Sequence, residues 1–260
     1  MKVLSLFDGI SCAQVALNRA GIACSEYHAS EVDSHAIKVT QSNYPMTKQL
    51  GCVTTVTAQD YDLIVGGSPC QGFSFAGRQK NFNDNRSKLF FEFARVLKEN
   101  KPCYFLFENV NMEQKHQDVI TQELGVKPIK INSALVSAQN RVRLYWTNIP
   151  AVKQPGDKGI VLADIVGSGY VKVSKKLTPK NNQLKASCLT GGGHSGGNHS
   201  DMDLLLVNGK TRRYTPEECE ALQTLPRGYT ASVSNTQRYK ALGNAFTVDV
   251  IAHLFSGLQG

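Results

Sequence analysis

One cysteine of the sequence stands where a nucleophile would be expected. The stretch 61–75 reads YDLIVGGSPCQGFSF, in which a short apolar run ends in Gly66 and Gly67 and Cys70 follows. Such a run predicts a buried strand followed by a sharp turn. Because open α/β sheets bind ligands beyond the carboxyl ends of their strands, a thiol at this place could attack a bound substrate. The alternative is a small buried hydrophobic side chain, the usual role of a free cysteine, but the flanking glycines and Pro69 favour the nucleophile.

A carboxyl group and two guanidinium groups also follow apolar runs. Glu108 comes directly after the predicted strand 103–107. A carboxyl that is buried beside such a strand has a raised pKa and can donate a proton. Arg141 and Arg143 alternate in the extended segment 139–143 and would share one face toward the site. The alternatives are a surface glutamate and solvated arginines.

The start of the chain has the pattern of a nucleotide-binding unit. An apolar run over 3–7 is closed by the turn 8–11, and helical spacing begins at Cys12. Gly9 would allow a ligand to approach closely, and the helix start would offer free N–H groups. Glu31 lies about 20 residues beyond the turn, where a carboxylate can accept hydrogen bonds from ribose hydroxyls.

Apolar runs and helical patterns continue to alternate along the chain. They predict a helix over 87–100, a helix that stops at Gly125 and a strand over 129–136. Thr215 is a predicted N-cap, with Glu218 at the capping-box position and a proline between them. This alternation of strands and helices is typical of an α/β fold with a doubly wound, mostly parallel sheet.

Composition limits the partners that the protein could have. The 260 residues include 29 Lys and Arg against 21 Asp and Glu, a formal charge of +8, which suits a polyanion such as nucleic acid. The seven cysteines contain no CxxC pair, so neither a zinc site nor a disulfide framework is indicated. No apolar stretch approaches the length of a membrane span and no targeting segment is recognised. We therefore expect a cytoplasmic protein without a metal ion.

The segment 153–213 differs in composition from the rest of the chain. It is rich in Lys, Gly, Ser and Asn, and lysines such as Lys172 and Lys185 stand among short strand candidates. The loop LTGGGH at 189–194 is flexible enough to pass close to phosphates and base edges. A disordered linker is the alternative. His194 and His199 lack the neighbours of a metal site, which favours contact with DNA.

These motifs resemble, in the same order, those of the cytosine carbon-5 DNA methyltransferases. The hexapeptide PCQGFS at 69–74 is similar to the catalytic loop of the family, and ENV at 108–110 is similar to its second catalytic motif. QNRVR at 139–143 is similar to the motif near the carbonyl oxygen of cytosine, and GNA at 243–245 to the last motif, which completes the cofactor pocket. Several stretches, including VLSLFDGI and RSKLFFEFARVL, look like the catalytic domain of the animal de novo enzymes.

The resemblance implies S-adenosyl-L-methionine as the methyl donor, with S-adenosyl-L-homocysteine as product, and double-stranded DNA as the substrate. Cys70 would add to carbon 6 of a flipped-out cytosine, Glu108 would donate to ring nitrogen 3, and Arg143, supported by Arg141, would contact the carbonyl oxygen. The cofactor-binding residues that it implies are Phe7, Asp8, Gly9, Ile10, Ser11, Glu31, Val32, Cys52, Val53, Gly67, Asn244 and Ala245. The DNA-binding residues that it implies are Gln71, Ser74, Arg78, Thr190, Gly191, Gly192, Gly193 and His194.

Two positions depart from the family pattern. Ser11 replaces the usual second glycine of the first turn, which we expect to be a mild change because serine is small. Cys52 stands where an acidic residue often lies near the adenine amino group. Its thiol removes a hydrogen-bond acceptor, so the sequence predicts weaker cofactor binding.

The resemblance also implies a division of the chain. One catalytic and cofactor-binding domain would be formed by residues 1–152 and 231–260, interrupted by a small target recognition domain at 153–230. The short chain indicates a bacterial or phage enzyme, monomeric, with a restriction endonuclease as a possible partner. Two alternatives remain: a tRNA cytosine-5 methyltransferase of the same architecture, and a catalytically inactive DNA-binding relative.

Overall fold

The computed structural model describes residues 1–68, 88–191 and 203–259. Several residues singled out from the sequence lie outside these ranges, namely Cys70, Gln71, Ser74, Arg78, Gly192, Gly193 and His194. The fold and the site are therefore built below from the remaining residues.

Seven strands of the described chain form one sheet in the order β3-β2-β1-β4-β5-β7-β6. Their bounds are β1 Lys2–Leu6, β2 Glu26–Ser30, β3 Lys48–Gln49, β4 Leu63–Gly66, β5 Tyr104–Val110, β6 Ile129–Asn132 and β7 Val142–Thr147. The pairs from β3 to β5 are parallel, and β7 is antiparallel to both of its neighbours. The order reverses between β1 and β4, and such a switch point leaves a crevice beyond the carboxyl ends of the strands.

Helices cover both faces of this sheet. Their bounds are α1 Cys12–Arg19, α2 Ser34–Asn43, α3 Lys88–Asn100, α4 Gln114–Leu124, α5 Leu162–Val166, α6 Pro216–Leu222, α7 Asn235–Asn244 and α8 Val248–Phe255. Consecutive strand residues enter different cores: Leu63 packs with residues of α1 and α8, and Ile64 packs with residues of α3 and α4. Because side chains alternate along a strand, each central strand is buried on both faces, and the predicted doubly wound α/β class is confirmed.

Some local predictions need correction. The tripeptide at 108–110 was expected after a strand, but β5 continues through Val110 and contains it. The strand predicted over 129–136 ends at Asn132, and a 3-10 turn follows at Ser133–Leu135. The Asn132 carboxamide causes this end, since its oxygen accepts hydrogen bonds from the backbone N–H groups of Ala134 and Arg141 at 3.1 and 3.0 Å.

The segment between the two predicted parts of the catalytic domain contains a second, smaller sheet. Within the described residues it is antiparallel, in the order β10-β9-β8, with bounds β8 Tyr170–Val173, β9 Leu204–Val207 and β10 Lys210–Arg212. The predicted capping box of α6 is confirmed, because Thr215 and Glu218 exchange side-chain and backbone hydrogen bonds of 3.2 and 2.8 Å. Lys185 does not face solvent as a free cation; its Nζ donates to the carbonyl oxygens of Ala134 and Ser137.

One stretch of the described chain, Asn235–Gln259, is long and apolar enough to cross a membrane by length and composition. This differs from the sequence expectation. The stretch combines α7, α8 and a 3-10 turn, and the first helix ends at Asn244, before Val248 begins the second. Half of its most apolar window is buried, as in the core helices of a folded domain.

Candidate functional site

A cavity of about 500 Å³ lies at the carboxyl ends of β1, β4 and β5. It is therefore at the switch point of the sheet, where a ligand site is expected. The predicted site residues that line it are Phe7, Asp8, Gly9, Ile10, Gly67, Glu31, Glu108, Arg141, Arg143, Asn244 and Ala245. Ser68, the last described residue before Pro69 and Cys70, lines it as well.

The conformation of the first turn, residues 8–11, depends on hydrogen bonds as well as on glycine. Gly9 and Ser11 both have left-handed backbone angles, with φ of 60° and 56°. A left-handed residue with a Cβ costs about 1 to 2 kcal/mol, so serine is more than a change of size at this position. The Ser11 hydroxyl offsets part of that cost by donating to Asp8 Oδ2 at 2.5 Å. Burial raises the pKa of Asp8, although the hydrogen bond from Ser11 acts in the opposite direction.

Glu31 fixes the wall that faces this turn. Its Oε2 accepts the N–H of Gly9 at 2.8 Å, and its Oε1 accepts those of Val32 and Asp33 at 2.7 and 2.8 Å. A carboxylate has about four acceptor positions, so one remains for a ligand hydroxyl. The Val32 side chain is 71% exposed and does not line the cavity.

Three more of the predicted cofactor residues lie outside the cavity wall, namely Ser11, Cys52 and Val53. Cys52 is exposed, and a hydrogen bond with Thr54 lowers the pKa of its thiol. Val53 is buried in the hydrophobic core between the sheet and α3. A cofactor role for these residues stays a prediction.

Glu108 and Arg143 form an ion pair at the other end of the cavity. Arg143 Nε lies 3.1 Å from Glu108 Oε1, and the two side chains are only 14% and 12% exposed. The surface alternative for Glu108 is therefore wrong. Burial raises the pKa of Glu108, and the charges of Arg143 and Arg141 reduce this rise without cancelling it. The carboxyl is thus easier to protonate than an ordinary glutamate, as expected from the sequence.

Gly67 explains how the carboxyl comes so close to β4. A Cβ added at Gly67 would lie 3.0 Å from Glu108 Oε2 and 3.0 Å from the Phe246 ring. Real Cβ atoms rarely approach other atoms so closely, so only glycine leaves this end of the cavity open. Asn109, beside Glu108, donates from its amide nitrogen to the Ser68 hydroxyl at 3.3 Å. This bond ties the end of β4 to β5.

Arg141 lines the same cavity, but its terminal nitrogens bind backbone carbonyls. Nη1 donates to Leu189 O at 2.8 Å, and Nη2 donates to Gly243 O and Ala245 O at 3.2 and 2.9 Å. The side chain is 3% exposed, and burial lowers its pKa. Arg141 therefore joins the segment 153–230, the predicted recognition segment, to the end of α7 and the residue that follows it, which is a bracing role that its sequence motif does not predict.

The described part of the glycine-rich loop packs directly on the last turn of α7. A Cβ at Gly243 would overlap the backbone of Thr190 and Gly191. Gly191 itself leaves no space, since an added Cβ would lie 2.6 Å from Asn244 Oδ1. Thr190 and Gly191 thus border the residues predicted to complete the cofactor pocket, and their predicted contact with DNA remains a prediction.

Two contributors to the site were missed from the sequence. Asp33 caps α2 by accepting the N–H of His35 at 2.9 Å, and it pairs with Lys240 at 2.6 Å across the cavity mouth. The hydrogen bond from Lys240 lowers the pKa of Asp33. The letters DSHA at 33–36 carry an N-cap signal that could have indicated this helix. The second contributor is Cys188, whose Sγ contacts the side chains of Arg141 and Arg143. No comparable pattern in the sequence indicates it.

Fold and cavity together define an α/β enzyme in which a nucleotide-type pocket joins a buried carboxyl–guanidinium pair. The family model described as C-5 cytosine-specific DNA methylase matches residues 1–149 and 130–260, which together span the chain. The chain therefore belongs to this family of methyltransferases, whose members use S-adenosyl-L-methionine. The resemblance, the enzyme class and the cofactor inferred from the sequence are confirmed.

Known relatives match between 72% and 100% of this chain. The type II methyltransferase M.HhaI of Haemophilus parahaemolyticus is 26% identical over 98% of this chain and 93% of its own length. The orphan methyltransferase M.Rho11sI of Bacillus phage rho11s is 35% identical over 72% of this chain and 41% of its own length. Among solved structures, the Entamoeba histolytica methyltransferase EhMeth has a TM-score of 0.79 at 18% identity and covers 100% of this chain and 99% of its own. This last likeness concerns the fold.

Proposed function

We propose that the protein transfers a methyl group from S-adenosyl-L-methionine to carbon 5 of a cytosine that is extruded from double-stranded DNA, with Cys70 as the covalent nucleophile. The observation that carries this proposal is the buried Glu108–Arg143 pair in the same cavity as the Gly9–Glu31 wall. A proton donor and a cation thus stand beside a pocket suited to a nucleotide-like cofactor.

The residues of the wall fit the cofactor. Glu31 retains acceptor capacity for ribose hydroxyls, and Phe7 and Phe246 offer apolar surface to the rest of the molecule. Asn244 and Ala245 close the pocket from the far end of the chain. When bound, S-adenosyl-L-methionine supplies an electrophilic methyl group.

The side chains of this protein would act on the cytosine in a defined order. The Cys70 thiolate forms a bond to carbon 6, and the displaced electron pair makes carbon 5 nucleophilic. Glu108 supplies a proton to nitrogen 3, which prevents negative charge from building up on the attacked ring, and Arg143 holds the carbonyl oxygen. After carbon 5 is methylated its proton passes to water, the bond between carbon 6 and sulfur breaks with its electron pair going to sulfur, and the thiolate is restored. The proton on nitrogen 3 then returns to Glu108, which leaves 5-methylcytosine.

The remaining parts of the proposal concern the partner. Residues 153–230 form the target recognition region, which binds DNA through Thr190, Gly191 and the loop that follows. The formal charge of +8 supports binding to a polyanion. We also propose a cytoplasmic monomer of a bacterium or phage-infected cell, with a restriction endonuclease as its functional partner.

A trapping experiment tests the nucleophile. If a thiolate adds to carbon 6, the methylated adduct can collapse only by losing the proton from carbon 5. Fluorine in place of that hydrogen therefore prevents collapse. Protein incubated with S-adenosyl-L-methionine and DNA containing 5-fluorocytosine should give a protein–DNA band that survives boiling in detergent. Cys70→Ser should give none, because an alcohol is far less ionised than a thiol at neutral pH.

Two controls decide between the alternatives. Labelled methyl transfer to plasmid DNA and to tRNA, measured separately, identifies the polymer, and bisulfite sequencing of the plasmid identifies the site. Transfer to tRNA alone would replace DNA as the substrate, and no transfer to either would favour an inactive DNA-binding relative. Methylation of DNA without a covalent band, or normal turnover by Cys70→Ser, would overturn the covalent mechanism.

A further inference from the structure

A second thiol stands beside the groups that are proposed to hold the cytosine. Cys188 belongs to the recognition segment and is partly buried, just before the Leu189 carbonyl that Arg141 binds. Its Sγ accepts a hydrogen bond from Arg141 Nη1 at 3.3 Å and one from Arg143 Nη2 at 3.7 Å. Two guanidinium groups from a different part of the chain therefore converge on one sulfur atom.

The thiol form of Cys188 can donate to Leu189 O at 3.4 Å, but the two guanidinium groups favour the thiolate. Burial raises the pKa of Cys188, but the charges and hydrogen bonds of Arg141 and Arg143 outweigh burial, so that its pKa is lowered. The nearest anion on the far side of Arg143 is Glu108 of β5, and the buried Tyr145 of β7 lies near the same three charges. The neighbouring carboxylate, Asp203, is paired with Lys180 at 2.9 Å.

Arg143 is consequently shared between two acidic groups. Its Nε faces Glu108 Oε1 at 3.1 Å, its Nη1 donates to Val142 O at 2.8 Å, and its Nη2 faces Cys188 Sγ. A guanidinium that served Glu108 alone would favour the ionised carboxylate. The proposed role of Glu108 requires the opposite, a carboxyl that still carries its proton at the working pH. A thiolate on the other side of Arg143 neutralises part of the charge that Glu108 experiences.

We propose that Cys188 is a positioning residue of the reaction, whose thiolate shares Arg143 with Glu108 and thereby allows Glu108 to act as the proton donor. This inference rests on the proposed function of Glu108. It assigns to the recognition segment a part in the chemistry, in addition to its contacts with DNA.

Two substitutions with opposite chemistry test the proposal. Cys188→Ser keeps the shape but removes the charge, and Cys188→Asp keeps a negative charge with a different shape. The pH profile of single-turnover DNA methylation is measured for both, with Cys103→Ser, an exposed cysteine remote from the cavity, as the matched control. For each protein the rate at about pH 8 is divided by the rate at about pH 6. In Cys188→Ser this ratio should fall about threefold or more, because the pKa of Glu108 is lower without the thiolate and Glu108 loses its proton at lower pH. Cys188→Asp should keep the profile of the unaltered protein.

A purely structural role predicts the reverse order. The isosteric Cys188→Ser would then keep the profile and Cys188→Asp would suffer the greater loss, and this outcome would overturn the proposal. Thermal melting of each variant establishes that it is folded. If Cys188→Ser does not fold, the pH profile of Cys188→Asp decides alone. A rate that declines at the same alkaline pH as in the unaltered protein supports charge sharing, and a decline at lower pH contradicts it.

A measurement without DNA separates this inference from the proposed function. The ultraviolet absorbance of thiolates is followed against pH in the unaltered protein, and the absorbance of Cys188→Asp is subtracted as the reference. The difference should show thiolate absorbance at neutral pH and lose it as the pH is lowered. If it does not, Cys188 carries no thiolate at neutral pH and the inference fails even when DNA is methylated. If it does but no nucleic acid is methylated, the proposed function fails instead.

Discussion

The two ends of the cavity each contain a glutamate, and the protein surrounds the two carboxyls differently. At the end proposed to bind the cofactor, which we call the cofactor end, Glu31 accepts three backbone N–H groups. One comes from Gly9 in the first turn, and two come from the residues that directly follow Glu31. At the end proposed to hold the cytosine base, which we call the base end, Glu108 is largely buried and faces Arg143 from β7. One carboxyl is held by local backbone groups, and the other depends on side chains that come from distant parts of the sequence.

This difference suits two kinds of work. A carboxylate with several N–H donors is a fixed acceptor, which is what binding a neutral hydroxyl requires. A carboxyl whose pKa is raised by burial can give up a proton and take it back. Carboxyl groups with separate environments in one cavity are a recurrent way to divide binding from acid–base chemistry. We therefore expect the function of the base end to depend mainly on charge and that of the cofactor end to depend mainly on geometry.

The replacement Glu108→Gln has the largest expected effect. Glutamine keeps the shape of the side chain but has no proton to transfer, so the single-turnover methylation rate should fall about 100-fold or more. If the protonated carboxyl is the active form, as proposed, the unaltered protein should lose activity as the pH rises through its raised pKa. Glu108→Gln should lack this decline. Rapid-quench assays across the pH range measure both quantities.

Stability distinguishes this loss from unfolding. Burial raises the pKa of Glu108, so the folded protein binds this proton more tightly than the unfolded chain, and the contribution to stability decreases as the pH rises. Glu108→Gln should therefore not lower the free energy of urea unfolding at neutral pH. Glu123→Gln, which breaks an exposed pair with Lys98, is the matched control. A rate for Glu108→Gln within about threefold of the control would remove Glu108 from the chemistry.

Substitution of Glu31 tests the cofactor end and has a smaller expected effect. If its remaining acceptor position binds ribose hydroxyls, Glu31→Ala should weaken binding of S-adenosyl-L-methionine by about 1.5 to 3 kcal/mol, the range for hydrogen bonds to a charged group. Calorimetric titration of the purified protein measures this change. Unlike Glu108→Gln, the variant should recover its methylation rate when the cofactor concentration is raised, because the base end is unaltered.

The result also separates ligand contact from support of the turn. Glu31→Gln keeps one acceptor oxygen for a backbone N–H and loses the charge, so its affinity should lie between those of the alanine variant and the unaltered protein. Equal affinity in all three proteins would exclude Glu31 from the cofactor site. A rate that cofactor cannot restore would contradict the separation of the two ends.

The two ends also differ in how far the sequence predicts them. The Gly9 turn and Glu31 are about 20 residues apart and belong to one strand–turn–helix–strand unit, so spacing alone brings them together. Glu108 was predicted as a buried carboxyl because an apolar strand precedes it. The bracing role of Arg141 and the position of Cys188 were not predictable, because both depend on how residues 188–191 meet the arginines of the segment 139–143 and the end of α7. No local pattern encodes such a contact between segments that are distant in the chain.

Ser11 provides the smallest and most local test of the cofactor end. Its left-handed φ of 56° has a conformational cost, and the hydrogen bond to Asp8 offsets part of it. The same hydroxyl also accepts hydrogen bonds from Gln14 Nε2 at 3.3 Å and from Thr40 Oγ1 at 3.2 Å. Ser11→Ala keeps the strain and loses these bonds, so the free energy of unfolding should decrease by about 1 kcal/mol or more. Ser11→Gly loses the same bonds but relieves a strain of about 1 kcal/mol, so it should be more stable than Ser11→Ala by about that amount. Urea unfolding of the three proteins measures the series.

The order of the two variants is the informative result. A glycine variant about 1 kcal/mol more stable than the alanine variant would show that the backbone, and not the size of the side chain, restricts this position. The reverse order would mean that the greater freedom of glycine in the unfolded chain outweighs the strain. Neither substitution touches Glu108 or Arg143, so the pH profile of methylation should be the same in all three proteins. A change in that profile would show that the two ends of the cavity are coupled through the buried Asp8, and the contrast between a geometric end and an electrostatic end would then have to be abandoned.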